Sequence, residues 1–260
     1  MNNRHVKTAA IALASTQFGE GHKLVRLYTE ELGRLEATAF GARKTKSRFG
    51  SKLEPFTSGI FLLYHKNENS PFSIQDVEVN CQNSMLRNDL NRFLIGSAIV
   101  EPVLRFVEKM HRDRELFEML SAALDLLNNM VIDRGLYLLS MFDLNFLSIM
   151  GYKPDLKICA KCTNPVGNEG IFTDASAGFP VCSRCRSVSS TAVSPGANRF
   201  VEWALQSPLQ LSKRVRMERS TLDQIRHIIE NLFLYHFRRV PDSWLQIKNM
   251  LDFSMFVHKG

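Results

Sequence analysis

Two Cys-x-x-Cys pairs, Cys159-Ala-Lys-Cys162 and Cys182-Ser-Arg-Cys185, constrain this chain more than any other feature in it. Nineteen residues separate them. Each pair lets two sulfurs converge on one ion, and two pairs complete the tetrahedron that zinc takes in structural sites. The ligands must be thiolates, so Zn2+ with four of them carries a formal charge of about −2. Lys157, Lys161, Arg184 and Arg186 flank the sulfurs and offset it. Catalytic zinc usually takes three protein ligands and leaves a position for water, so four cysteines predict one structural Zn2+. Such pairs read as metal ligands of a reducing compartment rather than as disulfides. The spacer holds two strand-like pieces, Gly170-Ile-Phe-Thr173 and Phe179-Pro-Val181, with Ala177-Gly178 between them. This fits a small hairpin inside a zinc module at 157–187. Cys81 has no partner in sequence and reads as a small buried apolar residue.

Ahead of the module the chain changes period once. Val6 to Leu13, Leu24 to Tyr28, Leu35 to Phe40, Ile60 to Tyr64 and Phe72 to Val79 read as five short strands, with turn residues at Gly33 and Asn67–Pro71. Five strands in some eighty residues suit a small barrel, of which the OB-fold is a common form; periodicity alone leaves the closure open. From residue 84 apolar residues recur at helical spacing. They run through Leu86, Leu90, Phe93, Leu94 and Ser97, then Leu116 to Leu127, then Leu138 to Ile149. Gly151 and Pro154 stop the last run. Ser187 to Gly196 reads as a Ser-rich connector. Helical spacing returns at 198–206 and 220–238, and Pro241 starts a last short helix. The expectation is an α+β chain: a five-stranded OB-fold β-barrel at 1–80, then an α-helical domain at 81–260 carrying the inserted four-cysteine zinc finger.

Arg4 and Lys7 ahead of Thr8–Ala14 loosely imitate a secretion signal, but the apolar part is short and reads as a buried first strand. No apolar run approaches the roughly 20 residues of a membrane span.

The formal net charge is +7, an excess that favours polyanions without proving nucleic-acid binding. It is uneven: residues 81–155 carry 8 basic and 10 acidic side chains, between two basic ends. Gly41 to Lys52 concentrates Arg43, Lys44, Lys46, Arg48 and Lys52 with no acid among them. Such a loop beside a barrel can track a phosphate backbone, or it can be a solvated turn. Phe49 within it would stack a base if exposed. Lys23, Arg26 and Arg34 extend the candidate surface along the barrel. Tyr28, Phe40, Phe56, Phe61 and Tyr64 are mostly core residues by default; spacing leaves open which one or two face the groove. A second cationic set is Lys213, Arg214 and Arg216, with Arg219, Arg226, Arg238 and Arg239 following; helix ends facing solvent would explain these as well.

Several stretches together resemble the bacterial RecO family. Gly19-Glu-Gly-His-Lys-Leu-Val-Arg-Leu-Tyr-Thr-Glu-Glu-Leu-Gly-Arg34 is similar to the family's first hairpin region, and it runs on into Phe40–Gly50 and Leu53-Glu-Pro-Phe56. Phe142 to Leu156, followed by Cys159, resembles the helix-to-zinc junction, and Tyr235 to Leu245 resembles the C-terminal segment, although Val240-Pro-Asp is less basic there. The resemblance covers nearly the whole chain in order. It implies an N-terminal OB-fold, a helical domain with a zinc finger, binding to single- and double-stranded DNA, and strand annealing. It implies partnership with RecR, with the C-terminal tail of single-strand-binding protein and, indirectly, with RecA. Family members exist without the cysteines, so zinc is not essential to the family's activity. The implied place is the cytoplasm, on the nucleoid.

An enzyme is not expected. There is no G-x-x-x-x-G-K-[ST] loop and no H-E-x-x-H, and the seven histidines form no acid–base or metal pair. A zinc deaminase would want an H-x-E that is absent. Two other readings are a zinc-stabilised protein-interaction scaffold and a transcription regulator without annealing activity. The regulator would need a dimerised recognition helix or several fingers, and salt-dependent DNA binding would separate the scaffold.

Overall fold

The computed structural model describes residues 5–67, 70–166 and 170–248. The chain forms two compact units that divide between Asn129 and Met130.

In the first unit all five expected strands form: β1 (His5–Phe18), β2 (His22–Thr29), β3 (Gly33–Ala39), β4 (Ser58–Tyr64) and β5 (Phe72–Cys81). They close into a barrel in the order β1-β2-β3-β5-β4. β1 pairs with β2 along one edge and with β4 along the other, and a bulge between Ala12 and Ala14 bends it between the two partners. The closure is a short parallel ladder, Ala37 with Phe72 and Thr38 with Ser73. This is the five-stranded OB-fold arrangement. Alternate residues fill the barrel, Val25 and Leu27, Leu35 and Ala37, Phe61 and Leu63, and in β5 Ile74 and Val77 do so across a bulge. Ala10, Ala12, Ala37 and Ala39 leave room for the larger rings in so narrow a core.

Gly33 makes the β2–β3 turn possible. Its φ is +67°, and a Cβ there would lie 2.0 Å from the carbonyl oxygen of His111. The Met110 N–H donates to Arg34 O at 2.9 Å, so the segment after the second helix lies directly on this turn.

Three helices complete the unit: α1 (Ser84–Asn88), α2 (Leu90–Phe106) and α3 (Arg114–Asn129). The expected helical run from residue 84 breaks at Asp89, which is extended and caps α2 by accepting from the Arg92 N–H. The break re-phases the stripe. Leu90 and Phe93 stay exposed, and Ile95, Ala98, Ile99 and Val103 are buried instead. In α3 the expected stripe holds: Leu116, Leu120, Ala123, Leu124 and Leu127 are all buried.

The second unit centres on α4 (Gly135–Ile149). Leu138, Leu139, Met141, Phe142, Leu144, Phe146 and Leu147 are fully buried, more than one stripe, so this helix is covered on nearly all sides. Around it lie β6 (Ile171–Asp174), β7 (Gly178–Cys182), β8 (Thr191–Val193), α5 (Pro195–Ala204) and α6 (Arg219–Phe237). The Phe146 ring stacks on Phe142 and on Phe233 of α6, with centroids 6.4 and 6.1 Å apart. Ser194 caps α5 by accepting from the Ala197 N–H, and Pro195 follows as the first helical residue. Residues 243–248 are helical, as Pro241 leads one to expect.

The expected connector at Ser187–Gly196 is instead partly strand. β8 pairs with β6, Ile171 with Val193 and Thr173 with Thr191. Three residues are too few to show alternation, and the pairing comes from the free edge of β6. Among the described residues no helix is long and apolar enough to cross a membrane.

Candidate metal centre and nucleic-acid interface

The four cysteine sulfurs of the two pairs lie within 4.8 Å of one another, and none is in a disulfide. Cys162 Sγ and Cys182 Sγ are 3.9 Å apart. A Zn–S bond of about 2.3 Å gives tetrahedral S···S edges of about 3.8 Å, so the donors fit zinc in type, number and spacing. Two tight turns hold them. In the first, the Cys159 N–H donates to Asn164 O at 2.8 Å and the Thr163 N–H to Cys159 O at 2.9 Å. In the second, the Cys185 and Arg186 N–H groups both donate to Cys182 O at 3.1 Å. Cys159 and Cys182 are buried against Phe172, Ala177 and Val181, while Cys162 and Cys185 face partly outward.

The electrostatics favour thiolates at the first pair. Burial pushes the Cys159 thiol up, but the amides of Cys182, Cys162 and Lys161 outweigh it and bring the group down to about 6. The Asn164 amide lowers Cys162 as well. Cys185 is pushed up to about 12, first by its hydrogen bond to Cys162 and then by burial. A divalent cation held there would favour the thiolate form of all four groups. The Arg186 guanidinium lies over the Phe172 ring, 5.2 Å from its centroid, and covers that side of the module.

A further anchor in this module has no warning in sequence. The buried Asp174 carboxylate accepts from the hydroxyls of Ser176, Ser187 and Ser190 at 2.7, 2.5 and 2.6 Å, and from the Ser176 N–H at 2.8 Å. These bonds hold the carboxyl well below the usual carboxylate range, the Ser187 hydroxyl contributing most. The serines tie the segment before β8 to the end of β6.

The cationic loop joins β3 to β4. Arg43, Lys44, Lys46 and Arg48 are exposed along it. Arg43 reaches back to the β1–β2 turn, its N–H donating to Gly21 O and its guanidinium to Glu20 O, at 3.2 and 3.3 Å. Lys52 is half-buried and donates to Val77 O at 3.1 Å. The other three barrel cations of the expected surface are engaged: Lys23 with Glu54 at 2.6 Å, Arg26 with Glu36 at 3.1 Å, and Arg34 with the Val107 carbonyl at 2.8 Å. Hydrogen bonding to Lys109 chiefly, and to Arg26, lowers the Glu36 carboxyl despite its partial burial.

Two expectations about this region need correction. Phe49 is not an exposed stacking ring. The turn at Gly50–Leu53 folds the loop back over the barrel end, so Phe49 and Leu53 enter the core. Arg48 lies over the Phe49 ring from outside, at 5.0 Å. Cys81 is half-buried rather than buried, with its thiol donating to Asn83 Oδ1 at 3.2 Å. Of the five barrel aromatics, Tyr28, Phe56 and Phe61 are core, Tyr64 is half-buried and Phe40 is exposed.

In the second unit Lys213 and Arg214 end a short 3-10 turn, and Arg216 follows; Lys213 and Arg214 are exposed. Arg219 pairs with Asp223 at 2.9 Å. Arg226 is not a surface cation. It donates to the buried Asp143 carboxylate at 2.6 Å and lies over the Trp244 ring at 4.4 Å.

Comparison with known proteins covers both parts of the chain. Residues 1–81 match the family model described as recombination protein O, N terminal, and residues 87–244 match its C-terminal counterpart. The DNA repair protein RecO of Desulfatibacillum aliphaticivorans is 28% identical over 251 residues, covering 94% of this chain and 97% of that protein. That of Anaeromyxobacter sp. (strain K) is 33% identical over 183 residues, 69% of this chain and 70% of the relative. The RecO protein of Clostridium novyi (strain NT) is 26% identical over 250 residues, 96% of each. A closed five-stranded barrel, a helical unit with a four-cysteine cluster, and these matches along the chain place it in the RecO family of DNA repair and recombination proteins.

Proposed function

We propose that this protein is a non-enzymatic recombination mediator that binds single- and double-stranded DNA and anneals complementary strands. With RecR it would help RecA onto DNA coated by single-strand-binding protein, whose C-terminal tail it would recognise. The observation that carries this reading is the run of four exposed cations, Arg43, Lys44, Lys46 and Arg48, beside an OB barrel in a chain of this family. Loops at such a rim commonly meet oligonucleotides, and phosphate contacts there are sequence-independent. We assign DNA binding to the barrel domain at 1–80, with Lys213, Arg214 and Arg216 of the helical domain at 81–260 as a secondary basic surface. The expected site of action is the cytoplasm, on the nucleoid.

One Zn2+ on Cys159, Cys162, Cys182 and Cys185 would hold the module at 157–187 in shape. Bound, it would supply the positive charge that lets four thiolates share one small volume. Four sulfur ligands leave no position for a substrate, which suits a structural role.

Annealing of two complementary labelled strands by the full chain, followed by fluorescence transfer, tests the reading. Strand pairing well above the spontaneous rate, with no nucleotide required, is the expected result. No acceleration and no affinity for either DNA form would refute it.

A further inference from the structure

We propose that Phe18, His22 and Phe40 form a base-stacking row on the outer face of the barrel, which makes the site selective for unpaired strands. The proposal rests on the DNA-binding reading above and names the form of DNA this site takes.

The strand register puts the three rings side by side. Phe18 of β1 is paired with His22 of β2, and Lys23 is paired with Ala39 of β3, so the next step brings Phe40 opposite His22. Directly opposed residues project from the same face of a sheet. Val25 and Leu27 of β2, with Leu35, Ala37 and Ala39 of β3, fill the barrel. Residues of the other parity therefore face out, and His22 and Phe40 belong to that set. Phe18 is 49% exposed and Phe40 is 60% exposed.

Two of the three rings are held against each other. The His22 and Phe40 rings meet edge to face, with centroids 5.1 Å apart and planes at 74°. The Gly41 N–H donates to His22 Nδ1 at 2.9 Å, which fixes the imidazole against the start of the cationic loop. Gly41 itself has a φ of +74°, turning the chain away immediately after Phe40 so that its ring is left uncovered.

The surroundings choose the occupant. Phe40 is followed closely by Arg43, Lys44, Lys46 and Arg48, all exposed. The acids of the flanking segments are Glu20 in the β1–β2 turn, Glu36, which is engaged by Arg26 and Lys109, and Glu54, which is engaged by Lys23. Aromatic faces next to exposed cations, in a loop without carboxylates, match a chain of bases and phosphates better than an acidic or apolar peptide. Phe18 and Phe40 lie two strand spacings apart, about 10 Å, enough for one base on each. In a duplex the base faces are already stacked on one another, so only a single strand can use the rings. The cations would serve both DNA forms alike.

The test compares fluorescent oligothymidylate with a duplex of equal length, using the full chain and the variants Phe40→Leu, Phe18→Leu and Phe40→Trp. Leucine keeps an apolar surface and removes the π-face; tryptophan keeps and enlarges it. We expect Phe40→Leu to weaken single-strand binding by about 5- to 150-fold, the range of one base stack removed, with duplex binding within about twofold. Phe18→Leu should act in the same direction, and Phe40→Trp should bind the single strand at least as well as the parent. Photocrosslinking of a 5-iodouracil strand should map to Phe40. Single-strand affinity unchanged in both leucine variants, or weakened equally for the duplex, would overturn the stacking row while leaving DNA binding intact. A parent protein with no affinity for either DNA would refute the DNA-binding reading itself.

Discussion

Cys162 and Cys182 belong to different ends of the metal module, yet their sulfurs lie 3.9 Å apart, an edge of a tetrahedron that zinc would fill. The two chain turns and the β6–β7 hairpin produce this proximity without a disulfide. One zinc per chain should copurify with the protein. Cys159→Ser should loosen the metal and lower thermal stability, because binding energy in such modules is folding energy. Elemental analysis of chelator-free protein checks the first statement, and melting with and without chelator checks the second.

Phe49 sits in the barrel core, and its removal should be felt there rather than at DNA. Phe49→Ala should cost about 3 to 5 kcal/mol of stability, as for other large buried rings. Urea unfolding measures the loss. At a temperature where the variant is folded, its DNA affinity should stay near that of the parent.

Asp174 gives the four-cysteine module an acid limit. Its carboxyl is held below the ordinary range by hydrogen bonds, so the folded state favours the ionised form more than the unfolded chain does. Its contribution is then complete above the unfolded value of about 4 and is lost as pH falls below it. Asp174→Asn should remove part of that acid sensitivity and destabilise the parent at neutral pH by about 2 kcal/mol, one charged hydrogen-bond set being weakened. Melting between about pH 3 and pH 7, a window that brackets the unfolded value, reads out both effects.

The Arg226–Asp143 pair joins α6 to α4 inside the second unit. Burial outweighs the opposing pull of Arg226 and leaves the Asp143 carboxyl raised to about 7. Breaking one side leaves the other group buried and alone, so Asp143→Leu and Arg226→Met should each cost about 3 to 5 kcal/mol. The double substitution Asp143→Leu with Arg226→Met should recover much of that loss if the volume is filled. A double-mutant cycle in urea decides whether the pair is coupled.

Much of this is legible in residue order alone, and the reasons differ by element. The five strands and α3 announce themselves because one face is buried and the period is regular. The four-cysteine cluster is legible because four residues of one ligand type stand at fixed spacing. Phe49 and Phe40 show where such reading stops. Both are loop-edge phenylalanines beside the same cations; the turn at Gly50–Leu53 takes Phe49 in, while the outward parity of β3 and the turn at Gly41 leave Phe40 out. Asp174 and Asp143 are hidden for a related reason: Ser187 and Ser190 stand 13 and 16 residues from Asp174, and Arg226 stands 83 from Asp143. Leu90 and Phe93 mislead because a cap at Asp89 re-phases the helix.

The cationic loop carries the central claim, and the salt dependence of DNA binding tests it most directly. Arg43→Ala, Lys44→Ala and Lys46→Ala together remove three exposed charges while leaving the barrel core untouched. Stability should change little, since exposed loop charges contribute little to it. Affinity for DNA should fall about equally across sequences. The slope of log affinity against log salt should flatten by up to about 0.7 to 0.9 for each phosphate no longer neutralised. A triple variant with the parent's affinity and the parent's slope would contradict the account, and would move the DNA site to the basic residues around Arg214 and Arg216.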